Sequence, residues 1–326
     1  MGVAGDRPAS TDDVAWRIDA ERLQLVARLV APHIRHTPLI PAPGGGLLKL
    51  ESLQPTGSFK VRGFFAAALA LTPRQRERGL ITVSSGNAAL ACAHVARELG
   101  VPCRVVMDDA APALKVDGVR ALGATAMMTP RPRLYEWMAT RAWEREPEVF
   151  IHPFADDGVM AGHASIVPEI LAECPAVERV LVAVGGGGLI SGIAAGFAAL
   201  KPGVQVVGVQ SDGYPLWSRA FAAGGPVSLT ADTIAEGTTA PFDAKMFARL
   251  RQLVTAWIEV PEASLRVAVA RLATAAKVVA EGAGALAFAA MATEQPTPHT
   301  VAIVSGGNID ASRLAGLLTP GGAARP

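Results

Sequence analysis

Val180-Leu181-Val182-Ala183-Val184, Gly185-Gly186-Gly187-Gly188 and Leu189-Ile190-Ser191 run consecutively, and how they are read decides the fold. The stretch from Leu181 to Leu200 is largely apolar and nominally long enough to span a bilayer. Four consecutive glycines interrupt it, however, and each end suits a different element: a buried strand before the loop and a helix after it. One glycine would serve a tight strand-to-helix turn. Four let successive backbone N–H groups converge without Cβ interference, and the following helix adds its positive N-terminal end. The result is an anion cradle suited to a phosphate. The loop is neither G-x-G-x-x-G nor a P-loop, since no Lys-Ser/Thr pair follows, so dinucleotide and nucleoside triphosphate ligands are disfavoured.

Outward from this loop, β-rich runs alternate with amphipathic helical stretches. Strands are expected at Leu80–Val83, Cys103–Met107, Thr125–Met128, Val180–Val184, Val204–Gln210 and Val301–Val304. Helices are expected near Asn87–Leu99, Pro112–Leu122, Leu134–Arg145, Asp157–Glu173 and Leu189–Leu200. A further helix is capped by Thr11 or Asp12 and ended by Pro32. Pro112 suits a first helical residue, and Gly100 and Gly123 suit helix terminators. This alternation predicts an α/β protein of open, mostly parallel twisted sheets flanked by helices.

Composition narrows the function classes. The chain has 326 residues, half of them hydrophobic, with a net charge of +1 and 5% aromatics. No basic block is present, so neither nucleic acid nor an anionic membrane is an expected partner. The N-terminus is acidic and lacks the apolar core of a signal peptide. Cys92, Cys103 and Cys174 are odd in number and without metal spacing, which points to a reducing cytoplasm. The six histidines show no metal-ligand spacing either, and no metal site is expected.

The chemistry-bearing residues lie at the ends of elements. In Pro55-Thr56-Gly57-Ser58-Phe59-Lys60, the lysine follows a glycine turn and opens an apolar helical segment from Val61 to Leu71. Partial desolvation there disfavours the ammonium and makes the amine a usable nucleophile. Ser84-Ser85-Gly86-Asn87 follows one strand and opens a helix, offering hydroxyls and amides to a carboxylate or a phenolic oxygen. Ser305-Gly306-Gly307-Asn308 follows the Val301–Val304 strand, where a hydroxyl faces the ligand crevice of an open α/β sheet. An amine, a phosphate cradle and hydroxyls at strand ends together suggest a phosphorylated aldehyde cofactor held through the amine. Glu281 either caps the helix it opens or lines this site. Asp156-Asp157 is an N-cap for the next helix, and Arg131 and Arg133 are solvated or reach a substrate carboxylate.

LESLQPTGSFKVRG, SSGN, HPFADDGVMAG, VGGGGLISGIAAG, EGAGALA and SGGNID occur in this order from Leu50 to Asp310. The chain closely resembles the pyridoxal-phosphate enzymes of the tryptophan synthase β superfamily (fold type II), in the serine/threonine dehydratase and serine racemase branch. The resemblance implies a large cofactor-binding domain of residues 1–62 and 163–326, an inserted small domain of residues 63–162, and pyridoxal 5'-phosphate between them. It places Lys60 as the covalent attachment point, Phe59 beside the ring, Asn87 at the phenolic oxygen, Gly185, Gly186, Gly187 and Gly188 on the phosphate, and Ser305 at the ring nitrogen. Ser84, Ser85, Gly86 and Asn87 would form the substrate site, with Ser85 where racemases carry a second proton donor. The implied reaction is β-elimination of a threonine- or serine-like amino acid to a 2-oxo acid and ammonia. A serine-type racemase and a β-replacement synthase are the alternatives within the family, and a non-catalytic phosphate-ligand binder is one outside it. The implied partners are a small amino-acid substrate and a second copy of the chain in a homodimer.

Three features depart from the family pattern. Ala88-Ala89-Leu90 stands where relatives have a histidine and then a glutamine two residues later. Gln210 replaces the glutamate that begins the racemase cation site. The sequence runs only a short way beyond the SGGN motif, so the regulatory domain of allosteric biosynthetic dehydratases is not expected there.

Overall fold

A computed structural model describes residues 16–294 and 296–319. The strands are β1 Leu39–Pro41, β2 Leu47–Lys49, β3 Leu80–Val83, β4 Cys103–Asp108, β5 Thr125–Thr129, β6 Val149–Phe150, β7 Arg179–Ala183, β8 Gln205–Ser211, β9 Ala256–Val260 and β10 Thr300–Ile303. They form two sheets. The larger runs β1-β2-β10-β7-β8-β9 and the smaller β5-β4-β3-β6. Every pairing is parallel except that of β1 with β2. Burial matches this topology: β3, β10 and most of β7 are buried along their length, as parallel strands covered on both faces must be.

The central expectations hold to within a residue or so, and four details are corrected. The first helix is Ala20–Val30, capped by the Asp19 carboxylate. Thr11 and Asp12 lie outside the described residues. Pro112 is an N-cap with extended ψ, and the helix begins at Ala113. The helix expected over Asp157–Glu173 breaks at Ser165 into Asp157–Ala164 and Ile166–Glu173, where the Ser165 hydroxyl donates to the Gly162 carbonyl. Helix Arg131–Ala139 starts three residues early and gives way to a separate 3₁₀ turn at Ala142–Arg145. Gly100 and Gly123 do adopt the positive φ of helix terminators. Among the described residues no helix is long and apolar enough to cross a membrane.

A buried ion network ties the lysine helix, Lys60–Leu69, to the large sheet. Arg62 donates through Nε and Nη2 to both oxygens of Glu51, at 2.7 and 2.8 Å, and reaches Glu169 through Nη1 at 2.7 Å. Glu169 also accepts from Lys49 on β2 at 2.6 Å. Arg62, Glu51 and Lys49 are fully buried. Burial works to lower the Arg62 pKa, but Glu51 and then Glu169 outweigh it and hold the guanidinium above its ordinary value. Such a pair is costly to break from one side, because the partner charge stays behind. Arg62→Ala, which leaves the Glu51 carboxylate buried without its counter-charge, is expected to cost about 3–5 kcal/mol by urea denaturation. A loss under about 1 kcal/mol would contradict this account of the network.

Candidate active site

A cavity of about 800 Å³ opens between the sheets, lined by the residues that the resemblance implies for cofactor and substrate: Phe59, Lys60, Ser84–Asn87, Gly185–Gly188 and Ser305. The topology explains the convergence. Ser84 and Gly185 follow the ends of β3 and β7, and Ser305 follows β10, so all three stand at carboxyl ends of parallel strands.

The tetraglycine loop touches its surroundings with backbone. A Cβ on Gly186 would lie 2.3 Å from the Phe154 ring, one on Gly188 2.5 Å from the Phe154 carbonyl oxygen, and one on Gly185 2.9 Å from the Gly237 carbonyl oxygen. Gly187, at φ +90°, is in the left-handed region that favours glycine. It is the N-cap of the helix Gly188–Leu200. The N–H groups of Gly185 to Gly188 donate to no acceptor among the described residues. Free amides at a helix N-terminus, on a surface lining a cavity, are what a phosphate requires, so the residues present fit the phosphorylated cofactor.

Lys60 sits opposite in chemistry. Its Nζ donates to the Pro153 carbonyl at 2.6 Å and lies 5.2 Å from the centre of the Phe59 ring. The side chain keeps some exposure to the cavity but is packed by protein on its other sides, and burial pulls its pKa down to about 8. The neighbouring rings bring no positive charge. Burial, with a smaller push from Lys60, holds His163 well below its ordinary value. His152, lowered to about 4 chiefly by burial, accepts through Nδ1 from the amides of Phe154 and Ala155.

Ser84 Oγ accepts from Gly86 N, and Ser85 Oγ accepts from Asp108 N at 3.0 Å. Gly86, not a serine, is the N-cap of the helix Asn87–Leu99 and makes no side-chain cap bond. The Ser305 hydroxyl donates weakly to the Ala283 carbonyl, at 3.4 Å. Arg131 is exposed and paired with Asp108 at the cavity rim, and Arg133 is exposed away from it.

Asn308, which had no assigned role, and Glu281, one of whose two alternatives was to line the site, both join it. Asn308 Nδ2 donates to Asn87 Oδ1 at 2.7 Å and to the Thr56 carbonyl at 2.8 Å. A Cβ on Gly57 would fall 2.3 Å from Asn308 Oδ1, so the glycine of the lysine motif makes room for it. Glu281 occupies the N-cap position of its helix but makes no cap bond. It accepts from Asn87 Nδ2 at 2.6 Å instead, and burial raises its pKa to about 7 against the lowering effect of that bond. The parallel between SSGN and SGGN was the available signal for Asn308.

Lys60 burial has a thermodynamic consequence in ligand-free protein. With a folded pKa near 8 and an unfolded value near 10.5, the unfolded chain binds more protons between those pH values, so stability rises with pH across that window. The stability of wild type relative to Lys60→Met is therefore expected to increase from pH 8 toward 10.5 in paired denaturation curves. A pH-independent difference would show that the amine is not desolvated.

The family model described as "Pyridoxal-phosphate dependent enzyme" matches residues 30–306. An L-threonine ammonia-lyase of Thermotoga maritima is 36% identical over 280 residues, which are 84% of this chain and 70% of that protein. The catabolic L-threonine dehydratase TdcB of Staphylococcus aureus is 35% identical over 312 residues, 90% of this chain and 89% of its own length. Among solved structures, maize serine racemase superposes with a TM-score of 0.85 at 28% identity, covering 92% of this chain and 96% of that one.

Proposed function

This chain belongs to the pyridoxal-phosphate dependent enzyme family, and from that premise we propose that it is an ammonia-lyase converting a threonine- or serine-like β-hydroxy amino acid to a 2-oxo acid and ammonia. The observation that carries the reading is one desolvated lysine and one set of free glycine amides lining the same cavity. Bound pyridoxal 5'-phosphate supplies an aldehyde that engages amines covalently and a conjugated ring that draws electron density from the substrate Cα.

The chain's own groups divide the remaining work. The amides of Gly185 to Gly188 would hold the phosphate, Ser305 would meet the ring nitrogen, Phe59 would pack beside the ring and Asn87 would hold the phenolic oxygen. Ser84, Ser85, Gly86 and Asn87 receive the substrate carboxylate. Lys60, with a pKa near 8 in place of 10.5, is free base to the extent of about a tenth at pH 7, far more than an ordinary lysine, and would take the Cα proton. The β-hydroxyl would leave as water by taking up one proton, which balances the one removed from Cα, and hydrolysis of the released enamine would give the oxo acid and ammonia. A neutral hydroxyl at the ring nitrogen cannot protonate it as a carboxylic acid would, which favours prompt loss of the β-substituent over longer-lived carbanion chemistry.

The division into residues 1–62 with 163–326 and an inserted 63–162 is part of this proposal, supported by a small sheet confined to Leu80–Phe150. A cytoplasmic location accords with three free, buried cysteines. A homodimer is proposed on the family resemblance.

Purified enzyme given L-threonine or L-serine with no added nucleophile should release 2-oxo acid and ammonia in equal amounts. Lys60→Ala should lower the rate by at least about a thousandfold. Turnover that begins only when a thiol or amine is supplied would replace the lyase with a β-replacement synthase. Racemisation is the second reading, favoured by Ser85: its oxygen is anchored by the Asp108 amide while its proton stays free for the cavity. On that reading chiral analysis finds the D enantiomer accumulating, and Ser85→Ala suppresses it while elimination continues. A residual substrate that stays wholly L sets this second reading aside.

A further inference from the structure

Glycine peptides rotate easily, and a rotated plane in the tetraglycine loop would turn a carbonyl oxygen toward a phosphate instead of an amide. The structure holds the first two planes from behind. The Val184 carbonyl accepts from Gln210 Nε2 at 3.1 Å, and the Gly185 carbonyl accepts from the indole Nε1 of Trp217. All described peptide bonds are trans, and a trans peptide is planar with its N–H opposite its C=O. Pinning the Val184 carbonyl therefore fixes where the Gly185 amide points, and pinning the Gly185 carbonyl does the same for Gly186. Both amides face away from Gln210 and Trp217.

The two anchors are themselves held. Gln210 Oε1 accepts from Trp217 N at 2.8 Å and Ser218 N at 3.1 Å, amides in the first turn of the helix Leu216–Ala223, where no intrahelical acceptor is available. That leaves the side-chain NH₂ directed at Val184. Gln210 is 1% exposed and Trp217 is fully buried, so water cannot substitute for either donor. Neither residue lines the cavity.

We propose that Gln210 and Trp217 are positioning residues that set the peptide planes of the tetraglycine loop for a phosphate. This rests on the reading that the loop holds the cofactor's phosphate. A ligand with the same ring but no phosphate should be indifferent to them, which separates this role from general structural support.

The test is equilibrium dialysis of cofactor-free enzyme with pyridoxal 5'-phosphate and, in parallel, with unphosphorylated pyridoxal. Gln210→Met keeps the side-chain length without a charge and removes the donor; Trp217→Phe removes the indole N–H. Each is expected to weaken pyridoxal 5'-phosphate about tenfold, the scale of one lost hydrogen bond, and to leave pyridoxal within about twofold of wild type. Equal losses for both ligands, or none for either, would overturn the proposal. Should Trp217→Phe fail to fold by circular dichroism, Gln210→Met carries the test alone. Wild type that binds pyridoxal as tightly as its phosphate would instead remove the phosphate-cradle reading beneath it, a result distinct from wild-type preference with unaffected variants.

Discussion

Packing too close to admit a Cβ, at Gly185, Gly186 and Gly188, is the constraint on which the rest of this structure depends. The segment Pro153-Phe154 illustrates it. Phe154 lies so close to Gly186 and Gly188 that any Cβ there would overlap its ring or carbonyl, while the carbonyl of Pro153 holds the Lys60 amine at 2.6 Å. One two-residue segment thus joins the phosphate cradle to the nucleophile. Their separation is set by main-chain geometry rather than by flexible side chains, which suits a site that must grip a rigid cofactor at both ends. The Arg62 network does the same on the far side, fixing the helix that begins at Lys60 to β2 and to Glu169.

Electrostatically the chamber disfavours charge. Burial lowers the pKa of Lys60, His152 and His163 and raises that of Glu281, so amine, imidazoles and carboxyl are all moved toward their neutral forms. An amine that must attack an aldehyde and later take a proton is served by this, because its free base is populated near neutral pH. The cost is carried by the fold: His163 is fully buried, neither ring nitrogen has a close hydrogen-bond partner among the described residues, and Phe59 packs edge-on against that ring.

The parallel core was legible because buried strands are continuous apolar runs ended by glycine and hydroxyl clusters, as at Val83-Ser84 and Val304-Ser305. β1, β2, β6 and β9 escaped for reasons visible in the chain. Pro41 ends β1, β2 is three residues long and β6 only two. β9 is an edge strand whose partly exposed positions, Ala256 to Glu259, lack a clean apolar run. Within the site, the motif residues could be found one by one, but their mutual bonds could not. Asn87 meets Asn308 and Glu281 across 221 and 194 residues of sequence, so tertiary packing decides those pairs and also decides between the two roles open to Glu281, in favour of lining the site. Gln210 stood out only as a departure from the family's glutamate and Trp217 gave no local signal, since both act from behind the loop.

Borohydride reduction of the enzyme loaded with pyridoxal 5'-phosphate, followed by peptide mass spectrometry, tests the central claim most directly. The account predicts a single stable adduct carrying the reduced cofactor on Lys60. An adduct on another lysine, or none at all, would contradict it.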